Sequence, residues 1–513
     1  MRLSPDKRKK IRELKNRLFR LRFPVFSLSF PNSNSNSDSN LSCILWYHLI
    51  RKTRKEFALI LLKNCYTIAT FNDNNEELKG LDILIRDNRI DKIGENISLS
   101  AEEETRTEVI DASRLLVIPG MVNTHHHLYQ TLTRNLPGAQ NAELFDWLVY
   151  LYPIWGKVDR EAVFWSTLLG TAELLKTGCT CTTDHMYLYP EDFDGDVMAT
   201  QFEAADKTGI RFAPTRGSMT RGKSQGGLPP NHVVQTPKQV IEDMYRVVDE
   251  FNDPAPFSMR RIILAPCSPF SVEEHVMVKT AEMGRELGVP IHTHLCETID
   301  EEKYCLTTYG KRPLAAMQEW GWTGPNVFYA HGIWFNDEEL RVLAETGTGV
   351  AHCPSSNMRL GSGIARVREM MDLGIRVGIG VDGSASNDAS DMLGEARNAM
   401  LLQRVKYGAS ALTARETLKL AIQGGAELLG FDRIGRIEPG YGADLALFDM
   451  KQFQYAGSLS DPVAAILFTG FSHETAYTIV NGRVVVRNGN LEGIDENEIA
   501  CNVNRIAATL INP

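Results

Sequence analysis

Through the middle of the chain, short continuous apolar runs alternate with longer stretches of helical periodicity. The apolar runs fall at 115–124, 179–185, 211–216, 262–266, 290–295, 327–331, 349–353 and 377–382. Short runs without polar alternation fit strands buried on both faces. Helical patterns fill the intervals, as at 161–177, 237–251, 272–287 and 337–346, and glycine follows several of them as a stop signal. Eight strand–helix units in series predict an α/β fold, a (β/α)8 barrel with its chemistry at the C-terminal ends of the strands.

The flanks carry a different pattern. Residues 59–96 and the chain from 440 onward show short strands punctuated by Asn, Asp and Gly. Asn481-Gly482 between two β-branched runs predicts a hairpin. Both flanks are therefore expected to form one small β domain around the barrel. The expected organisation is an N-terminal extension over 1–56, a composite β domain from 57–118 and 436–513, and the barrel over 119–435.

Charge sharpens the picture at one end. The net charge is -9, yet residues 1–55 hold 14 Lys/Arg against three acidic residues, so that segment is +11 and the remainder -20. A Ser/Asn-rich stretch at 31–40 follows the basic run and lacks the apolar surface needed to order itself. The extension reads as a disordered tail or an upstream start, with a transit peptide as the alternative. Apolar bits at 41–46 and 57–62 are too short to span a bilayer. An acidic body argues against a nucleic-acid partner. The nine cysteines are odd in number and form no CxxC pair, which fits reduced thiols and a cytoplasmic setting, not a disulfide framework or a zinc–thiolate site.

The chemistry sits at the strand ends. The first closes with PGMVNTHHHLYQ. Side chains alternate along a strand, so His125 and His127 share a face and His126 points away. Two imidazoles on one face at a barrel mouth have metal-ligand spacing. The fifth strand, PIHTHLCETIDE, offers His294 near its end and Glu297 three residues on. His292 lies a layer deeper and reads as a core histidine. The sixth strand ends at His331, and the eighth ends at Asp382 in VGIGVDGSASND. A carboxylate after a wholly apolar strand must be paired or metal-bound.

Imidazole and carboxylate ligands suit one divalent ion, with Zn²⁺ expected and Fe²⁺ and Mn²⁺ also feasible. His125, His127, His294 and Asp382 are the candidate ligands. The ion would lower the pKa of water and supply hydroxide, with Asp382 accepting the water proton. Glu297 would protonate the ring nitrogen and then the departing amine. His331 would steady the hydroxide or the developing oxyanion. His185 and His352 close the second and seventh strands and read either as pocket or as core residues.

These motifs together, PGMVNTHHH, HTHLCET, AHG, GVDGSASND and the late IEPGYGADLALFD, resemble the amidohydrolase superfamily, in particular its aminohydrolase branch. The resemblance covers roughly residues 57–505. It implies a distorted barrel with a composite β-sandwich, the same four ligands, Glu297 as proton shuttle and His331 as orienting group. The stretch from His125 through Trp155, with TRGSMTRGKSQGGLPP and LAPCSPFSV, is similar to 8-oxoguanine-deaminating members. Gln130 matches a heterocycle-contacting position of guanine-deaminating relatives. Those relatives carry an arginine in the segment matching 265–271, whereas APCSPFS has none.

The implied reaction is 8-oxoguanine plus water to urate plus ammonia. Gln130, Trp147, His331 and His185 are the expected substrate contacts. Tyr129, Phe145 and Trp147 are candidates to cover the ring, although Trp147 reads equally as a core aromatic. A triazine-type aminohydrolase, or a guanine, isocytosine or cytosine deaminase, is the alternative within enzymes. A non-catalytic scaffold is the alternative outside them. The expected partner is a small heterocycle, with no nucleic acid or membrane, and the resemblance implies a homo-oligomer.

Overall fold

The computed structural model describes residues 59–470 and 472–512. The expected basic extension over 1–56 lies outside the described residues. Everything below belongs to one unit spanning 57–513.

Eight parallel strands follow one another in chain order: β1 (Met121–Asn123), β2 (Cys179–Asp184), β3 (Arg211–Ser218), β4 (Ile263–Pro266), β5 (Ile291–Leu295), β6 (Val327–His331), β7 (Gly349–His352) and β8 (Val377–Ile379). The first and last meet where Thr124 N–H donates to the Ile379 carbonyl at 3.1 Å and Asp382 N–H to the His125 carbonyl at 3.0 Å. The barrel expected from the apolar runs is thus present. Local signals place its helices. Asp159 caps Arg160–Lys176, and Thr236 forms a capping box with Gln239 at the start of Pro237–Phe251. Gly288 (φ +65°) and Gly347 (φ +70°) end Glu274–Leu287 and Asp337–Thr346 in the left-handed region.

One expected strand is two elements. The run at 115–124 divides at Gly120. Leu115–Pro119 pairs antiparallel with Leu445–Asp449 outside the barrel, and only β1 enters it. A Cβ on Gly120 would lie 2.2 Å from the Thr180 side chain, so the crossing requires glycine. Apolar periodicity cannot register such a change of sheet, because both halves are fully buried.

The remaining strands form two packed sheets. A seven-stranded sheet runs from Asn490–Leu491 through Arg483–Arg487, Tyr477–Val480, Leu445–Asp449 and Leu115–Pro119 to Thr67–Ala69 and Glu77–Leu78. It therefore draws on both chain ends. Its companion of four strands comes from Leu59–Lys63, Asp82–Arg86, Arg89–Gly94 and Thr107–Asp111. Ile60, Leu62, Ile83 and Ile85 of one sheet interleave with Val117, Leu445, Leu447 and Ile479 of the other. Leu59, Leu61 and Leu84 point to the opposite face, the two-residue alternation of a sandwich strand. The hairpin turn falls at Asn481 (φ +49°) and Gly482 (φ +75°), as expected for that pair. Arg211 on β3 reaches Asp444 at 2.8 Å, a fully buried ion pair tying barrel to sandwich. Among the described residues no helix is long and apolar enough to cross a membrane.

Candidate metal centre and active site

Three strand ends converge. His125 and His127 leave β1, His294 closes β5, and Asp382 follows β8. Their potential ligand atoms face one another: His127 Nε2 lies 3.2 Å from His294 Nε2 and 3.4 Å from Asp382 Oδ1. His125 Nε2 lies 3.5 Å from the same Oδ1. Bonds of about 2.0–2.2 Å in a tetrahedral zinc site place ligand atoms roughly 3.3 Å apart, so these separations fit one ion.

Hydrogen bonding fixes which nitrogens are bare. His127 Nδ1 faces the His185 carbonyl at 2.8 Å, and His294 Nδ1 faces the Cys267 carbonyl at 2.6 Å. A carbonyl only accepts, so each Nδ1 carries the proton. His292 Nδ1 likewise donates to the Phe328 carbonyl at 2.9 Å. Its Nε2 then accepts from His125 Nδ1 at 2.8 Å, leaving His125 Nε2 bare and without a hydrogen bond. Burial drives all four imidazoles below their ordinary pKa, His292 to about 3. Three unprotonated nitrogens gather here with the Asp382 oxygen facing those of His125 and His127, and the side chains form two overlapping groups that could hold a divalent cation, His125 with His127, His185 and His294, and His125 with His331 and Asp382.

Left-handed backbone turns these groups inward. Asp382 has φ +65°, His331 φ +71° and Cys296 φ +55°. Non-glycine residues adopt this region at a cost of the order of 1–3 kcal/mol and do so mainly where surrounding structure demands it. The turn at Cys296 carries Glu297 past the end of β5. Glu297 Oε2 lies 3.5 Å from His331 Nε2. Burial pushes Glu297 up to about 7 against the opposing pull of His331. For His331, burial opposes the charge, but Glu297 and Asp382 outweigh it and hold its pKa above the ordinary value. His331 Nδ1 donates to Asn357 Oδ1 at 2.9 Å. Burial also opposes the Asp382 carboxylate, but His331 and His127 outweigh it and keep its pKa below the usual range.

A narrow cavity opens onto this cluster. Gln130, Trp147, Glu297, His331 and Asp382 line it beside Leu144, Leu148, Tyr152, Tyr187, Cys267, Phe270 and Leu360. No Lys or Arg is among the lining residues. Gln130 Oε1 and Trp147 Nε1 are buried without hydrogen bonds. A Cβ on Gly383 would lie 2.0 Å from Gln130 Oε1, so the glycine of VDGS makes room for that amide.

The amidohydrolase family profile matches residues 116–485. This chain belongs to the amidohydrolase family. It is 45% identical over 385 residues to 8-oxoguanine deaminase of Pseudomonas aeruginosa, covering 75% of this chain and 85% of the relative. It is 36% identical over 433 residues to hydroxydechloroatrazine ethylaminohydrolase of a Pseudomonas species, covering 82% and 90%. Among solved structures, zinc-complexed atrazine chlorohydrolase of Arthrobacter aurescens superposes with a TM-score of 0.83 at 31% identity, covering 87% of this chain and 100% of that one. The chain is a metal-binding hydrolase acting on carbon–nitrogen bonds, with an imidazole cluster able to hold the ion.

Not every histidine of this amidohydrolase reaches the cavity. His185 is absent from the cavity wall; its ring stacks on His294 at 4.7 Å and its Nε2 donates to the Ala265 carbonyl at 2.9 Å. Its nitrogen lies within 4.8 Å of those of His125, His127 and His294, so it faces the imidazoles. His126 turns away to Ser390 at 3.0 Å, as strand alternation expects. Tyr129 packs in the core against Trp155, and Phe145 against Phe270. Sequence reasoning overlooked Asn357, Cys267, Tyr187 and Phe270. The Asn of HCPSSN had a signal, a polar residue just after a barrel strand; the others look like ordinary apolar positions.

Proposed function

We propose that this amidohydrolase deaminates a neutral 2-amino lactam heterocycle, 8-oxoguanine, to give urate and ammonia. The carrying observation is a pair of buried, unpartnered polar atoms on two residues that line the cavity. Trp147 Nε1–H wants an acceptor and Gln130 Oε1 a donor. A lactam edge offers both, a carbonyl beside a ring N–H. The wall holds no Lys or Arg to pair with an anionic substituent such as a phosphate. The likeness to a deaminase of 8-oxoguanine, at 45% identity, supports the same reading.

When held by His125, His127, His294 and Asp382, a divalent ion would supply a water nucleophile active at neutral pH. The residues do the rest. Asp382 Oδ1 faces His125 and His127, while Oδ2 looks toward His331 at 3.9 Å, where it can take the proton of the attacking water. Glu297 delivers its own proton to the ring nitrogen, takes up the second proton of the added water and passes that one to the departing amine, and the proton held by Asp382 restores it, a task suited to a carboxyl near 7. His331, oriented by Asn357, donates toward charge developing at the attacked carbon's oxygen. Gln130 and Trp147 hold the ring in plane.

A second reading, hydrolysis of an amino-substituted triazine, draws support from the 36% relative that acts on hydroxydechloroatrazine. Ammonia or amine release is to be measured from zinc-loaded protein with 8-oxoguanine, guanine, isocytosine and hydroxytriazines. Release from 8-oxoguanine well above guanine is expected, because residues 265–271 lack the arginine of guanine-deaminating relatives. No release from 8-oxoguanine at full metal occupancy sinks the proposal; amine release from the triazines alone selects the second reading.

A further inference from the structure

A carboxylate with no role in the reaction lies behind the centre. Asp184 ends β2 and is wholly buried, yet among the described residues it has no ion pair. Its Oδ1 accepts the Leu128 N–H at 2.6 Å and its Oδ2 accepts Gln201 Nε2 at 2.6 Å. Leu128 directly follows His127 and begins the turn Leu128–Thr133 that carries Gln130. The next residue completes the grip: His185 N–H donates to the His126 carbonyl at 2.6 Å, and its carbonyl receives His127 Nδ1. Gln130 N–H in turn donates to the His127 carbonyl at 2.9 Å.

We infer that Asp184 is a positioning residue that sets, through Leu128, both the His127 imidazole and the Gln130 amide. The inference rests on reading His127 as a ligand. Packing does not account for the residue. A buried carboxylate is among the most expensive groups to place without a cation, and an apolar side chain would fill the strand end more cheaply. What the carboxyl group adds is a short hydrogen bond to one backbone N–H, the one between a candidate metal ligand and a candidate substrate contact. Gln201, from the helix Val197–Thr208, holds the second oxygen so that the first cannot swing away.

The test compares wild-type full-length protein with D184A, D184N and Q201A. Zinc affinity is read by competition with a chromogenic chelator, alongside KM for the deaminated substrate and the thermal midpoint of the metal-free protein. D184A should hold zinc about 10–100-fold more weakly, the usual effect of losing a group that orients a ligand, and should raise KM as Gln130 loosens. D184N keeps an acceptor for Leu128 and should restore zinc affinity to within about threefold. Q201A keeps the carboxylate but frees it and should fall between the two; it carries the test if D184A does not accumulate folded. Unchanged zinc affinity in folded D184A or Q201A, whatever happens to the thermal midpoint, overturns the inference alone. Wild-type protein that binds no zinc overturns the metal-site reading, and this inference with it.

Discussion

Glu297→Gln isolates proton transfer from metal binding. Glu297 lies outside the groups of side chains that can jointly hold an ion, so the variant should retain near wild-type zinc. The isosteric amide also removes a buried charge, so the fold should tolerate it. The structure supplies the magnitude. An ordinary carboxyl with a value of 4.5 would be protonated in roughly 0.3% of molecules at pH 7, but a carboxyl raised to about 7 is protonated in half of them, some 150-fold more. Burial therefore provides the acid form that the ring nitrogen needs. The amide cannot donate in its place, and kcat should fall by about 10²–10⁴, a barrier increase of roughly 3–5 kcal/mol. The sign of the pH effect follows from the same shift. The protonated form is lost as pH rises through about 7, so wild-type kcat/KM should decline on the alkaline side, and the variant should lack that limb. Ammonia release, with zinc measured on the same samples, is the assay. Activity within tenfold of wild type at equal zinc content, or loss of zinc together with activity, would refute the reasoning.

Asp382→Asn should lose zinc and activity together, beyond the roughly 10–100-fold typical of residues that only orient ligands, because the amide removes the anionic oxygen facing His125 and His127; unaltered zinc content would exclude Asp382 from the ligand set. Gly383→Ala should leave zinc unchanged and raise KM about tenfold, near 1.4 kcal/mol or one hydrogen bond. Gly383 has φ -70°, which alanine adopts freely, so its cost falls on the displaced Gln130 amide. Unchanged KM would remove Gln130 from the substrate contacts.

The sequence by itself determined the order and kind of the barrel elements. Strands buried on both faces leave continuous apolar runs, and caps such as Thr236 and stops such as Gly288 act within a few residues of chain. The two-residue spacing of His125 and His127 was legible for the same reason, since one strand end fixes their common face. Gly120 marks where local reading stopped: apolar residues on either side bury equally well in different sheets, and the strands they pair with, like the Thr180 side chain that requires a glycine there, come from elsewhere in the chain. The centre is likewise a tertiary product. Asp382 and His127 are 255 residues apart in the chain, and their 3.4 Å approach exists because β8 closes the barrel onto β1. The bare Nε2 of His125 depends on His292 and the Phe328 carbonyl. The value near 7 at Glu297 depends on burial. Whether an imidazole presents a lone pair, or a carboxyl keeps its proton, is set by neighbours that only folding supplies.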